Sequence, residues 1–392
     1  MAPIIPGMFG ILPSGALGVG FFYHLTDQLT RMTNDVVFIE RRGSLSAQAL
    51  RESGTLSIAT PNGIASIPTD MVLKPDLIRC YESREVPEVI LICPNPDQLL
   101  GVITTSIELV IRLHEADQLF QDPLPFPTLV FCSNGIYFQR FRQIFIEKLE
   151  EATLFGRLPD LWSGTMPSLV SRFLRGVTIQ TGVRDGSGEH TIYRPGPRGL
   201  TRVAGGNDAT QRRCCHLLTE KGGWFEQGGD RTPTRLEFDK ALVNLACNLL
   251  GQIYAIDNTG HFRSLTVGDI AISSHRDRIR ELAHHVFTVG QHVNAYSTSE
   301  EFDTIYHHLM QVCEAHADHV PSSLQWVETN LRQGRLKAEI TPTEGWLIEP
   351  LIRYAKASDL SETVRYFEAL KRELLQKLER AIAASAVKHA SI

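Results

Sequence analysis

The 392-residue sequence predicts a two-domain α/β protein: a doubly wound parallel sheet in residues 1–205, then an all-α domain in residues 206–392. Three observations carry this. Short apolar runs of strand length alternate with helical stretches through the first 135 residues, as βαβ units require. From Arg235 onward the pattern is almost wholly helical. The chain is also longer than one small core organises.

Residues 8–12 are the first strand and 15–30 the helix after it. Residues 35–40 (DVVFIE) are a continuous apolar run ending in charge, as in a strand covered on both faces. Residues 47–53 are a short helix. Residues 55–58 and 64–68 read as edge strands around an Asn62-Gly63 turn. Residues 88–93 (EVILIC) and 128–132 (TLVFC) are further buried strands, with helices at 98–114 and 137–154. Residues 176–183 and 189–193 form a hairpin-like pair around 185–188. The Gly/Pro/Arg-rich stretch 194–206 reads as the end of the first domain, and 220–234 as a glycine-rich loop. Helical spacing then runs through 235–256, 276–293, 300–317, 320–334, 344–356 and 361–386. The crevice where two such domains meet is the expected ligand site.

Composition narrows the function classes. Hydrophobic residues make up 43% and charged residues 21%, with a net charge of -5, which suits a globular protein without nucleic acid or membrane as partner. The seven cysteines are scattered and form no C-x-x-C pair, which predicts buried free thiols in a reducing compartment. Residues 1–23 are apolar, but no basic segment precedes them and Gly and Pro interrupt them. No uninterrupted apolar run approaches the roughly 18 residues of a membrane span. A cytoplasmic location is expected.

The run Leu12-Pro13-Ser14-Gly15-Ala16-Leu17-Gly18 follows the first strand and opens a helix. At this turn of a Rossmann-like domain, backbone must approach a pyrophosphate closely, and free helix N–H groups face the phosphates. Gly15 and Gly18 occupy the second and third places of G-x-G-x-x-G, and Pro13 stands at the first. Glu40-Arg41-Arg42-Gly43 closes the second strand, where the adenosine ribose lies. An acid there favours NAD, whereas arginines clamp a 2′-phosphate. Two guanidiniums beside one carboxylate tip the expectation to NADP(H).

Lys240, Asn244 and Asn248 lie at i, i+4, i+8 in an otherwise apolar helix. Each step drifts only about 40°, so the three share one stripe. Unpaired buried amides cost about 1–3 kcal/mol each, so such a stripe points to a lined cavity. The lysine could protonate a carbonyl oxygen, and the amides could fix substrate and cofactor. Ser322-Ser323 and Glu339 add a hydroxyl and a carboxylate; alone they read as an N-cap and a surface acid. His316 and His319 sit i, i+3 without a recognised zinc spacing, so no metal is expected.

In order and spacing these motifs resemble the ketopantoate reductase (2-dehydropantoate 2-reductase) family. The matching pieces are Gly15-Ala16-Leu17-Gly18, Arg41 or Arg42 with Leu50 to Gly54, Asn134-Gly135, Lys240 with Asn244 and Asn248, Ser322-Ser323, and Ala338-Glu339-Ile340 through Gly345. The resemblance implies NADPH-dependent reduction of 2-dehydropantoate to pantoate, in pantothenate and coenzyme A biosynthesis. It makes Lys240 the general acid and Glu339 its partner or a substrate ligand. It places Asn244, Asn248 and Ser323 on the substrate, and Ser14, Gly15, Ala16, Leu17, Gly18, Arg41, Arg42 and Asn134 on the cofactor. Departures are Pro13, Phe238 in place of a tryptophan, and Cys93-Pro94-Asn95-Pro96 where a lysine often follows the third main strand. They leave two alternatives open: a divergent relative acting on another 2-oxo acid, and a non-catalytic NADP(H)-binding protein of the same fold. An opine or 6-phosphogluconate type dehydrogenase also joins two such domains, but the glycine and lysine spacing of the latter is not found. A homodimer also stays open.

Overall fold

A computed structural model describes residues 4–31, 34–186 and 191–390. The chain forms two compact units, Met1–Ser133 with Tyr137–Pro233, and Asn134–Ile136 with Thr234–Ile392.

The strands of the first unit are β1 (Ile4–Leu12), β2 (Val36–Ile39), β3 (Thr55–Thr60), β4 (Gly63–Pro68), β5 (Leu73–Lys74), β6 (Val86–Ile92), β7 (Thr128–Phe131), β8 (Phe173–Thr178), β9 (Gly182–Asp185), β10 (Ile192–Pro195), β11 (Thr201–Ala204) and β12 (Phe225–Gln227). Eight of them make one sheet in the order β12-β11-β8-β7-β6-β1-β2-β5. From β5 to β8 every pairing is parallel. Strands β2 and β7 are buried at every residue, which is why each reads as an unbroken apolar run. The strand order reverses between β1 and β6, which makes their carboxyl ends the topological switch point. The helices are α1 (Ala16–Leu25), α2 (Leu45–Ser53), α3 (Thr69–Val72), α4 (Leu77–Glu82), α5 (Leu99–Glu115), α6 (Phe138–Leu154), α7 (Thr165–Ser171) and α8 (Asp208–Glu220).

Four local expectations are corrected. Helix α1 stops at Leu25, not at residue 30. The Thr26 hydroxyl donates to Phe22 O at 2.8 Å, and Asp27, Gln28 and Leu29 take positive φ, which no α-helix continues through. Strands β3 and β4 do pair around the Asn62-Gly63 turn, but in a separate four-stranded sheet, β4-β3-β10-β9, rather than on the main sheet's edge. The stretch 176–183 is two strands. Gln180 breaks it: its N–H donates to Thr178 Oγ1 and its Oε1 accepts from Gly199 N, both at 2.9 Å. Strand β9 then pairs with β10 as the expected hairpin, whose turn, 187–190, lies outside the described residues.

The fourth concerns the boundary. Residues 194–206 do not end the unit, because β11 joins β8 antiparallel and β12 joins β11 parallel. The first unit therefore runs to Pro233 rather than to 205. These strands have only four and three residues, TRVA and FEQ, too short for a periodicity signal.

The second unit is helical: α9 (Pro233–Asn244), a π turn (Leu245–Leu249), α10 (Leu250–Ala255), α11 (Val267–Ile270), α12 (Arg276–His292), α13 (Phe302–Ala315), α14 (Ser322–Arg332), α15 (Pro342–Ala357) and α16 (Ser361–Ala390). All six predicted helical stretches are present. Leu242, Leu245, Leu249 and Ile253 share a core with Leu282 and Val286 of α12, Ile348 and Leu351 of α15, and Phe367 and Leu374 of α16. Each such side chain contributes about 1.5–3 kcal/mol by leaving water. All seven cysteines are buried and free. Among the described residues, no helix is long and apolar enough to cross a membrane.

Candidate active site

In the first unit the chain leaves β1 at Leu12 and enters α1 at Ala16. Gly15 is the N-cap, and no side chain caps the helix. Its first N–H groups thus remain a ready donor set for an anion. The Ser14 hydroxyl is buried and has no hydrogen-bond partner among the described residues. A Cβ on Gly15 would meet nothing within 4 Å, whereas a Cβ on Gly18 would lie 2.3 Å from the Pro13 carbonyl oxygen. Gly18 is thus required for the close turn, and Gly15 leaves open space in front of the helix. A diphosphate fits this turn, with Ser14 supplying an otherwise orphaned donor. Pro13, at the first glycine position, has its carbonyl oxygen against Gly18.

At the carboxyl ends of β1, β2 and β6, Leu12, Glu40, Arg41, Arg42, Asp76 and Ile92 line a narrow crevice. The charges there are partly committed. Glu40 is ion-paired with Arg51. Arg42 meets Asp76 at 3.4 Å and Glu108 at 3.1 Å, and these carboxylates hold its pKa above the usual arginine value. Arg41 donates from Nη2 to Gln98 Oε1 at 3.1 Å, but its Nε is buried without a partner among the described residues. Of the two guanidiniums expected to clamp a phosphate, Arg41 has the unused buried donor.

In the second unit, Lys240 is half-buried, Asn244 buried and Asn248 half-buried. Among the described residues, neither the Lys240 ammonium nor the Asn244 amide has a hydrogen-bond or ion-pair partner. Burial pushes the Lys240 pKa below the usual lysine value. The helix is not uniform, because residues 245–249 form a π turn. Such turns are rare and recur at functional sites. A π turn rotates less per residue, roughly 80° against 100°, so it offsets the drift that would carry Asn248 away from Lys240.

Asn248 belongs to a polar chain that runs from a half-buried position into the core. The Ser323 hydroxyl donates to Asn248 Oδ1 at 3.1 Å and lies 3.3 Å from its carbonyl oxygen. Gln252 Nε2 donates to Asn248 O at 3.3 Å and to Glu344 Oε1 at 3.4 Å. Sequence reasoning missed Gln252 and Glu344. Gln252 extends the i+4 series one step further. Glu344 is hidden in Thr341-Pro342-Thr343-Glu344, which reads as a capping box with a solvated acid. Thr341 does cap α15, but the Glu344 carboxyl turns inward and is only 2% exposed. Glu339, the acid expected at the site, is exposed in the bend before α15. Nothing among the described residues joins it to Lys240. Asn134 is exposed, two residues before Ile136, whose N–H donates to Trp346 O at 2.9 Å.

Burial raises the Glu344 pKa from 4.5 to about 7. The folded state therefore binds this proton more tightly than the unfolded chain. Its stabilising contribution is complete below about pH 4.5 and is lost as pH rises to about 7, a difference on the order of 3 kcal/mol. Glu344→Gln should remove that slope, as followed by denaturant unfolding between pH 5 and 8. An unchanged slope in the variant would assign it to another group.

No protein-family model matches the sequence, and no curated protein matches it either. Solved structures do match. A ternary complex of D-mandelate dehydrogenase with NADH and anilino(oxo)acetate aligns over 95% of this chain and 98% of its own, with a TM-score of 0.62 and 16% identity. The 2-dehydropantoate 2-reductase of Porphyromonas gingivalis W83 aligns over 94% and 99%, with a TM-score of 0.56 and 15% identity. A dimeric ketopantoate reductase from Staphylococcus aureus aligns over 94% and 99%, with a TM-score of 0.52 and 14% identity. The chain thus has, over nearly its whole length, the fold shared by ketopantoate reductases and D-mandelate dehydrogenase, and the resemblance read from its motifs extends to three dimensions.

Proposed function

We propose that the protein is a nicotinamide-dependent reductase of 2-oxo acids, using NADP(H) and reducing 2-dehydropantoate or a related branched 2-oxo acid at its keto group. The observation that carries this is the pairing on one helix of a half-buried Lys240 and an Asn244 that meet no hydrogen-bond or ion-pair partner among the described residues. Neither head group is sealed in the core, so both are open to a ligand.

When bound, reduced nicotinamide would supply the hydride for the keto carbon. Lys240 donates a proton to the keto oxygen, and its lowered pKa makes that transfer easier. Its ammonium also faces the negative charge that grows there during reduction. Asn244 donates to the substrate's polar end. Asn248, whose Oδ1 accepts from Ser323, has its Nδ2 hydrogens left to donate in the same direction. Ser14, Gly15, Ala16, Leu17 and Gly18 hold the diphosphate, Arg41 meets the 2′-phosphate, and Asn134 stands by the cofactor. Glu339 is assigned no proton-transfer step, because no contact places it at the amine.

The test is oxidation of NADPH, followed by absorbance, with a panel of 2-oxo acids that includes 2-dehydropantoate. Saturable turnover with one of them supports the reading; tight NADPH binding without turnover supports a binding protein. One observation favours a second reading, in which NADH is the cofactor: Glu40 stands at the ribose position and Arg42 is neutralised by two carboxylates. Arg41→Ala separates the two. It should weaken NADPH at least about tenfold, as loss of a charge-assisted bond predicts, and leave NADH within a factor of about two. Equal effects on both cofactors would favour the NADH reading.

A further inference from the structure

We propose that Glu344 is a positioning residue, a buried acid that holds Gln252 and through it fixes Asn248 for the substrate. The proposal rests on Asn248 being a substrate ligand, as set out above. Four groups from three helical segments form one chain: Ser323 on α14, Asn248 and Gln252 on the π turn and α10, and Glu344 on α15. The π turn is the least regular part of its helix, so the side chain it carries needs outside support. Ser323 holds the Asn248 carboxamide from one side. Gln252 holds the Asn248 carbonyl from the other, and Glu344 is the only side chain that anchors Gln252 among the described residues.

The bonding pattern also implies a proton. Gln252 Oε1 and Glu344 Oε2 are both buried, and both lack a partner among the described residues. A buried acceptor that meets no donor is costly. A neutral carboxyl carries the missing donor, and a carboxylate does not. Burial, the main influence on this group, favours the neutral acid. Below about pH 7 Glu344 can therefore donate through its second oxygen while its first accepts from Gln252 Nε2, and an amide of the same shape can replace it.

The experiment compares full-length Glu344→Gln, Glu344→Ala and Gln252→Met with wild type, reading three signals. The first is the Asn248 side-chain amide pair in 15N-asparagine-labelled protein, assigned by its loss in Asn248→Ala. The second is the affinity for oxamate, a 2-oxo acid isostere, with NADPH bound. The third is the split between kcat and KM. Glu344→Ala and Gln252→Met should shift or broaden the Asn248 amide signals. They should also raise the oxamate Kd and the substrate KM about tenfold with a smaller change in kcat, and Glu344→Gln should stay within about threefold of wild type. Gln252→Met breaks the chain without touching the acid, so it decides the matter if Glu344→Ala does not fold. Unmoved Asn248 signals in the variants that fold would overturn the proposal. Wild type that binds no oxamate, with amide signals that still depend on Glu344, would instead count against the reductase reading.

Discussion

Lys240→Ala is expected to lower turnover of a 2-oxo acid by on the order of 10²–10⁴, the usual worth of a positioned proton donor, while NADPH affinity stays near wild type. The amine is on the helical unit, and the diphosphate turn on the sheet unit shares no residue with it. Nothing among the described residues neutralises the ammonium, so its charge is available to the developing alkoxide. Lys240→Arg should not rescue the rate, because a guanidinium keeps its proton at any working pH. Wild-type kcat/KM for reduction should fall as pH rises through the lowered lysine pKa, and so below the ordinary lysine range. Single-turnover oxidation of bound NADPH is the measurement. Activity that survives Lys240→Ala would remove the assigned acid.

Gly18→Ala is the second large effect. The added Cβ would stand 2.3 Å from Pro13 O and 3.0 Å from Ile11 Cγ2, and backbone cannot swing aside as a flexible side chain does. The expected loss is about 1–3 kcal/mol of stability from overpacking, together with at least tenfold in dinucleotide affinity as the turn widens. Gly15→Ala is the control. Its Cβ meets no protein atom within 4 Å and its φ of -87° suits any residue, so stability should hardly move. The methyl would enter the space assigned to phosphate, so NADPH should still bind more weakly. Thermal unfolding and fluorescence titration of the two variants separate these effects. Undiminished NADPH binding by Gly15→Ala would place the phosphates elsewhere.

Much of this was legible in the sequence, and the parts that were not have physical reasons. Strands covered on both faces announce themselves as apolar runs, which is why β2, β6 and β7 emerge nearly where expected. Helices of the second unit bury one broad stripe each, and that stripe sets their period. Short strands such as β11 and β12 carry no period at all, so the end of the first unit was set too early. The Lys240 to Asn248 stripe was visible because polar residues stand out in an apolar helix. The π turn was not, because no proline or glycine marks it within residues 245–249. Glu339 and Glu344 differ by burial alone. A carboxyl five residues away from the expected one turned inward because α15 starts at Pro342, and its first turn faces the Gln252 side of α10.

The central claim is that reduced cofactor passes hydride to the keto carbon of a 2-oxo acid while Lys240 protonates the oxygen. The most direct measurement is isotope transfer. NADPH carrying deuterium at nicotinamide C4 is mixed with the enzyme and a 2-oxo acid, and the product is read by mass spectrometry. The account predicts a 2-hydroxy acid carrying deuterium at C2, formed by wild type and nearly absent with Lys240→Ala. A cofactor that binds yet stays reduced in the presence of every 2-oxo acid tried, 2-dehydropantoate included, would contradict it.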